Sequence, residues 1–236
     1  GMSTRSIHVR TFAKSQKKGQ LTPEQVRYYA YCYYRQVEMV DREVGKIYTA
    51  LQQSRFADNT LFVFSSDHGE MRGHHNRLKK GVLYESSLRV PLIMVPPGGQ
   101  DHGREDADHL VSGVDVPATI LDYAGMPDMP DMTLARSLRP LLEKRPVEWR
   151  TAVLAESEMG GRRRAVRDRR YKAIFYQNGR SVLFDLEEDP CELHDRAEDS
   201  DFDSVLRRLR TEHNRMVDTL TLHPKYRTFG RVEQDA

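Results

Sequence analysis

Cysteine is scarce in this sequence, and long apolar runs are absent. Two cysteines in 236 residues, set in Cys32-Tyr33-Tyr34-Arg35 and Cys191-Glu192-Leu193-His194, argue against a disulfide scaffold. No stretch approaches the roughly twenty apolar residues a membrane span needs, so no membrane partner is expected. An excess of one charge is missing too. The 37 Lys and Arg nearly cancel the 35 Asp and Glu, leaving +2, which argues against a globally basic nucleic-acid binder. No secretory signal is visible, and location stays open between cytoplasm and periplasm. The length suffices for a sizeable core in one or two domains.

The chain reads in two textures. Residues 1–20 are polar and read as an irregular arm. Thr22, Pro23 and Gln25 then form a helix start: cap hydroxyl, first-turn proline and capping-box return. Val26, Ala30, Tyr33, Val37, Val40, Val44, Ile47 and Leu51 recur at three- and four-residue steps, which predicts a long amphipathic helix laid on a sheet. Its crowded tyrosines read as packing rather than a ligand platform. Strands are expected at 61–66 and 90–96, in a mixed sheet, followed by a helix from Val116 to Ala124 capped by Asp115 and ended by Gly125. From Thr151 the runs shorten and alternate, predicting three or four antiparallel strands and then a helix over about 202–220. The fold class is therefore α/β: a three-layer domain over residues 1–148 and a small antiparallel-sheet-plus-helix unit over 149–236.

The most informative stretch is FVFSSDHGEMRGHHNRLKKGVLYESSLRVPLIMVPPG, residues 62–98. A buried strand stops at an acid, a histidine and a glycine, and a polar loop with His74, His75, Lys79 and Lys80 follows. Hard oxygen and imidazole groups just past the carboxyl end of a core strand are where open α/β sheets bind ligands and metals. Asp67 and His68 can each give one donor to a divalent cation, with Gly69 allowing a sharp turn and the lysines facing a bound anion. Taken alone, Asp-His-Gly is equally a turn in which Asp caps backbone amides and Gly supplies a positive φ. Arg162, Arg163, Arg164, Arg167, Arg169 and Arg170 cluster around a hairpin with Asp168 at its turn. They read as solvated strand edges, with the narrower option that one reaches over the site to an anion.

In order along the block, Ser66, Asp67, His68, Gly69, Glu70, Gly73, His75, Lys80, Gly81, Tyr84, Glu85, Arg89, Val90 and Pro91 match a known pattern. The block resembles the second signature region of the type I sulfatases, in the alkaline-phosphatase superfamily. The likeness extends to the preceding helix, to Asp115–Thr119, and to Leu183-Phe184-Asp185-Leu186 with Asp189, Pro190 and Glu192, so it covers nearly everything from about residue 22. His194-Asp195-Arg196 stands where that family usually has Asn-Leu.

The resemblance implies an alkaline-phosphatase-like sandwich, a sulfate ester substrate and one divalent cation, usually calcium. Asp67 and His68 are the implied ligands, and the imidazole leaves manganese or zinc open. Lys80 matches the lysine that neutralises sulfate oxygens, and His75 a loop histidine able to hydrogen-bond the sulfate or protonate the leaving oxygen. Gly73-His74-His75-Asn76 stands for the frequent Gly-Asp-His-Gly, so His74 replaces an acid and the match of His75 is open by one place. Glu70 and Glu85 are expected to orient the loop. The family's Cys/Ser-x-Pro-x-Arg motif, source of its formylglycine, is not in this sequence, and neither is its N-terminal acidic pair. The expectation is a C-terminal half that is inactive alone, partnered by an N-terminal half or by itself. Phosphodiester or phosphonate monoester hydrolysis, or a non-catalytic binding remnant, are the alternatives.

Overall fold

The computed structural model describes residues 22–99, 103–159 and 161–220. The arm expected over residues 1–20, and His8, His102 and His223, lie outside them.

Helix α1 (Pro23–Gln52) starts at the capping box read from sequence: the Thr22 hydroxyl accepts from Gln25 N at 3.2 Å, and the Gln25 side chain accepts from Thr22 N at 3.0 Å. None of its 30 residues is buried. At about 1.5 Å per residue it runs roughly 45 Å, whereas the strands beneath it, β1 (Phe62–Ser65) and β2 (Leu92–Val95), have four residues each and span roughly 13 Å. They are too short to cover the predicted apolar stripe. Tyr48 meets Phe62 at 5.1 Å, but Val37, Val40 and Ile47 remain half exposed or more. The two strands pair antiparallel, Phe62 opposite Val95 and Ser65 opposite Leu92, and no parallel partner joins them among the described residues. The mixed sheet expected here is thus, in the described residues, an antiparallel pair.

Helix α2 (Glu85–Leu88) precedes β2. Helix α3 (Asp115–Tyr123) ends in a Schellman motif: Met126 N donates to Leu121 O, Gly125 N donates to Asp122 O, and Gly125 takes φ +67°. Its start differs from the sequence reading. Val114 occupies the cap position, and Asp115 is turned inward and fully buried. The reason is Arg150, which grips both Asp115 oxygens at 2.6 and 2.8 Å while Ser112 N and Arg136 N donate to them as well. Helix α4 (Arg139–Leu142) follows.

The second half matches its sequence pattern closely. β3 (Val153–Ser157), β4 (Arg163–Arg167), β5 (Tyr171–Tyr176) and β6 (Ser181–Asp185) form an antiparallel meander, and α5 (Asp203–Asp218) packs on it. Strand alternation gives the sheet two apolar faces. Val166, Ala173, Phe175 and Leu183 pack with Leu209 and Met216 of α5. Ala165, Ile174, Val182 and Phe184 pack on the other side with Leu83, Tyr84 and Leu88. The segment that carries the sequence signature is therefore seated on the second sheet.

Lys172 lies on that same face, one residue pair from Ile174, and is fully buried. Its ammonium bonds Glu85 Oε1 at 3.1 Å and a short contact joins it to Glu192; Glu192 also accepts from Glu85 N at 2.7 Å, and Arg167 reaches Glu85 at 3.3 Å. Burial pushes the Glu192 carboxyl up, opposed by the Lys172 charge. Part of the arginine cluster is likewise structural. Arg164 is 1% exposed and paired to Glu156, and Arg170 to Asp185 at 2.8 Å. The expectation of solvated strand edges holds for Arg169 and Arg170, which are exposed, and fails at Arg164 on β4, where Glu156 sits opposite; Asp168 does form the turn, accepting from Arg170 N and Tyr171 N.

Replacing Lys172 with Ala strands two carboxylates against an apolar sheet face, so unfolding free energy in urea should fall by about 3–5 kcal/mol. Lys172→Met with Glu192→Leu should cost less than Lys172→Ala alone, because no uncompensated Glu192 charge remains. His213 gives a second test. It is buried beside the Phe175 ring at 5.0 Å, and burial holds its imidazole below the usual histidine range. The unfolded chain therefore binds more protons below pH 6.5, and stability should drop as pH falls through that value, by at most about 1.4 kcal/mol per unit. His213→Gln should make the curve shallower between pH 7.5 and 5.5.

Candidate functional site

β1 delivers the site residues. Ser65 Oγ ties its end to β2 by donating to Pro91 O at 2.9 Å, and the chain then turns through Ser66, Asp67, His68 and Gly69. The Asp67 side chain is 83% exposed; its Oδ1 accepts from His68 N at 3.0 Å, and Oδ2 stands 3.4 Å from His68 Nε2. His68 Nδ1 lies 2.8 Å from Gly69 O, which makes Nδ1 the protonated nitrogen in the neutral ring and leaves the Nε2 lone pair facing Asp67. Two donors 3.4 Å apart can share one cation at ligand distances of about 2.0–2.6 Å. Among the described residues no group of three or more His, Cys, Asp or Glu side chains gathers there or elsewhere.

Gly69 is required by crowding rather than by a left-handed backbone. Its N–H donates to Ser87 O at 2.7 Å, and an added Cβ would lie 2.2 Å from Ser86 O, so the turn closes directly on α2. Glu70 follows, partly buried. Burial raises its pKa against the opposing charges of Lys80 and His68 and a hydrogen bond from Tyr29; burial and the Glu70 charge in turn push the Tyr29 hydroxyl up to about 12.

The loop between them is strained and firmly held. Arg72, His75 and Asn76 have φ of 48°, 52° and 54°, a left-handed conformation that non-glycine residues adopt only when their surroundings over-determine it. Met71 and Leu78 anchor its ends in the core. Arg72 lies over the Tyr33 and Tyr34 rings and donates to the Tyr34 hydroxyl at 3.0 Å. Tyr29, Tyr33 and Tyr34 of α1 therefore lie against this loop, whereas Tyr28 and Tyr31 remain exposed. His74 Nδ1 meets Ser86 Oγ at 3.1 Å. His75 is stacked on Tyr84, 3.9 Å apart and 10° from parallel, with Nε2 3.1 Å from Cys191 O. The structure thus sets Asp67 beside His68 at the strand end, while His75 is engaged with the second sheet's side. Arg163 donates to Gly81 O at 2.6 Å, beside Lys80.

Sequence reasoning did not find the partners that hold these residues. Glu192, Lys172 and Ser86 act across more than ten residues of sequence, and Tyr84 across nine. A signal existed for Lys172: it shares strand parity with Ile174 and Tyr176, placing a charge on an apolar face that demands a buried partner. His213 likewise follows Leu209 by four residues and precedes Met216 by three, the core spacing of α5.

The strand-end Asp-His pair, the lysine loop and the closing antiparallel sheet place the fold among the alkaline-phosphatase-like hydrolases. Within that class the chain belongs to the sulfatase family. The family described as Sulfatase matches residues 3–126, and N-sulphoglucosamine sulphohydrolase, C-terminal, matches residues 73–219. An arylsulfatase of Clostridium perfringens is 34% identical over 165 residues, which cover 68% of this chain and 34% of that protein. A solved 2-O GAG sulfatase superposes with a TM-score of 0.79 at 26% identity, over 92% of this chain and 48% of its own. The phosphonate monoester hydrolase of Agrobacterium radiobacter gives 0.71 at 30% identity, over 81% and 43%. The chain spans about a third of the length of the curated relatives it matches.

Gly69→Ala sets a methyl group against the Ser86 carbonyl, so the turn must move off α2. The expected loss is about 1–3 kcal/mol, with exchange protection of the Gly69 amide lost while that of β4–β6 is kept, read by hydrogen exchange.

Proposed function

We propose that this chain is the C-terminal portion of a sulfuric ester hydrolase. On this reading Asp67 and His68 supply ligands to one divalent cation, calcium first and manganese or zinc next, and Lys80 lies beside the sulfate. Segments outside these 236 residues complete the site with the nucleophile and remaining ligands. The observation that carries it is the convergence of Asp67 Oδ2 and His68 Nε2 at 3.4 Å, with the ring tautomer set by Gly69 O.

The chemistry divides by residue. The bound cation supplies electrostatic stabilisation of the sulfate oxygens. Asp67 is exposed enough to meet it without a desolvation cost of its own. His68 keeps its orientation because Nδ1 is occupied by a backbone carbonyl. Lys80 offers an ammonium where negative charge grows on the departing ester oxygen or the sulfuryl group. Glu70, partly buried beside this turn, accepts a hydrogen bond from Tyr29. A sulfate ester is the substrate class this supports, in keeping with the arylsulfatase name of the Clostridium relative. The second reading, phosphonate or phosphodiester hydrolysis, is favoured by the 30% identity to the phosphonate monoester hydrolase, since the same half-site serves either anion.

No Cys/Ser-x-Pro-x-Arg motif occurs in the sequence. Catalysis of sulfate ester cleavage depends on a nucleophile and on charge stabilisation together, so loss of the first removes nearly all of it. The purified chain should hydrolyse neither a chromogenic aryl sulfate nor a phenyl phosphonate ester above buffer, with calcium or manganese present. Weak manganese binding, followed by calorimetry, should vanish in Asp67→Ala. Turnover by the chain that is lost in Asp67→Ala would mean that these residues already hold a complete site; turnover that survives would remove Asp67 from the chemistry. The reading frame upstream of the Met2 codon should encode the missing motif, and an immediate in-frame stop would favour a binding remnant.

A further inference from the structure

Helix α2 has four residues, and Tyr84 holds its cap position without a side-chain cap bond. A single turn costs more to nucleate than its own hydrogen bonds return, so its place is set by what grips it. At its start, Glu192 Oε2 accepts from the Glu85 N–H at 2.7 Å, an amide that has no partner within the helix. The Glu85 carboxylate is held by Lys172 at 3.1 Å, and Lys172 also contacts Glu192. Glu192 is 3% exposed and its backbone is left-handed, φ 59°, a conformation kept only where the surroundings impose it. At its other end, α2 meets the bend that carries Asp67 and His68. Ser87 O accepts from Gly69 N at 2.7 Å, and Ser86 O blocks the space a Gly69 side chain would need. Gly69 O in turn is 2.8 Å from His68 Nδ1. A carbonyl only accepts, so this contact puts the proton on Nδ1 and leaves Nε2 to Asp67 Oδ2, 3.4 Å away.

We infer that Lys172 and Glu192 are positioning residues for His68, acting through α2 and Gly69, although both belong to the C-terminal unit. The inference rests on the proposed cation site and deepens it by naming what aims one of its two ligands. Each link is a direct contact: Lys172 and Glu192 to Glu85, α2 to Gly69, Gly69 to His68. A metal-bound imidazole is oriented by whatever holds its other nitrogen, and loss of that support weakens metal binding about tenfold or more. Here the support is a backbone carbonyl, and a buried ammonium and carboxylate hold that carbonyl in place two contacts further on. A purely structural triad would lower stability and leave His68 unaffected in the molecules that stay folded. A positioning triad changes His68 in the folded state itself.

The test follows the 236-residue chain and its variants by amide hydrogen exchange and imidazole NMR, first without metal and then with manganese. Lys172→Met with Glu192→Leu fills the sheet face with apolar side chains, and Glu85 keeps Arg167 as its counter-charge at 3.3 Å. In that variant the Gly69 amide should lose its exchange protection, and the His68 proton should redistribute from Nδ1 to Nε2. Broadening of the His68 ring should then need about tenfold more manganese. Glu192→Gln, close to isosteric, should move the same signals in the same direction by less. Leu209→Ala opens a cavity on the opposite face of the sheet, under α5. It should destabilise the fold and leave Gly69, His68 and the manganese midpoint at their original values. Unchanged Gly69 and His68 signals in both triad variants, or equal changes in Leu209→Ala, would overturn the inference. An unmodified chain whose His68 ring ignores manganese, while the triad variants release Gly69 and His68 as expected, would overturn the cation reading and leave the positioning role standing.

Discussion

A buried ammonium governs how this protein is put together. Lys172 sits at zero exposure on an apolar face of the C-terminal sheet, and its charge is tolerable there only because Glu85 and Glu192 reach it. Removing a charge from water costs several kcal/mol, so the three side chains must stay together or all be expelled. Glu85 comes from the helix before β2, Lys172 from the middle of the sheet, and Glu192 from the turn after β6. One electrostatic requirement thus fixes three distant segments at a single point. Arg167, at the end of β4, adds a fourth at 3.3 Å from Glu85.

The geometry of the candidate site is inherited from that point. Glu85 is the first residue of α2, and the next two residues, Ser86 and Ser87, are the ones against which Gly69 closes and to which His74 is tethered. Leu83, Tyr84 and Leu88 around it are packed on Ile174, Val182 and Phe184. A displacement of the C-terminal sheet would therefore move the bend carrying Asp67 and His68, although no residue of the sheet belongs to that bend. The sheet with α5 has the dense core, and the site-bearing segment borrows its rigidity. Preorganised donors lose little entropy on meeting an ion, so a scaffold of this kind serves an electrostatic site well.

What could be read beforehand follows from the range of the interactions involved. The α1 start, the Gly125 terminus and the four-stranded meander depend on neighbours within a few residues, and local pattern reported them. Asp115 misled because a carboxylate ahead of a helix is locally indistinguishable from a cap; only Arg150, 35 residues away, turns it inward. The arginines of β4 looked solvated because alternation cannot show that Glu156 and Glu85 stand opposite them. For the site, sequence order placed Asp67, His68 and Lys80 in one neighbourhood. It could not tell which loop histidine faces which way, since that is decided by left-handed backbone at residues with no glycine to announce it. Gly69 was read as a turn residue, yet its requirement is the closeness of Ser86 O, a tertiary fact.

The two halves of the chain differ in how well they satisfy themselves. The sheet of β3–β6 buries both faces, one under α5 and one under the Leu83–Leu88 segment. The β1–β2 pair covers only part of α1, and Ile93 remains 54% exposed beside it. A two-stranded ribbon is marginal in water by itself. Here it is held at one end by Ser65 bonding Pro91 O and at the other by Tyr48 against Phe62. The Asp67–His68 bend lies where β1 leaves that ribbon, so its position depends on the α2 contacts more than on the strands. That ordering explains why a chain spanning a third of its relatives' length still holds two potential ligand atoms 3.4 Å apart: the elements that aim them lie on their C-terminal side, and those elements are the well-packed ones.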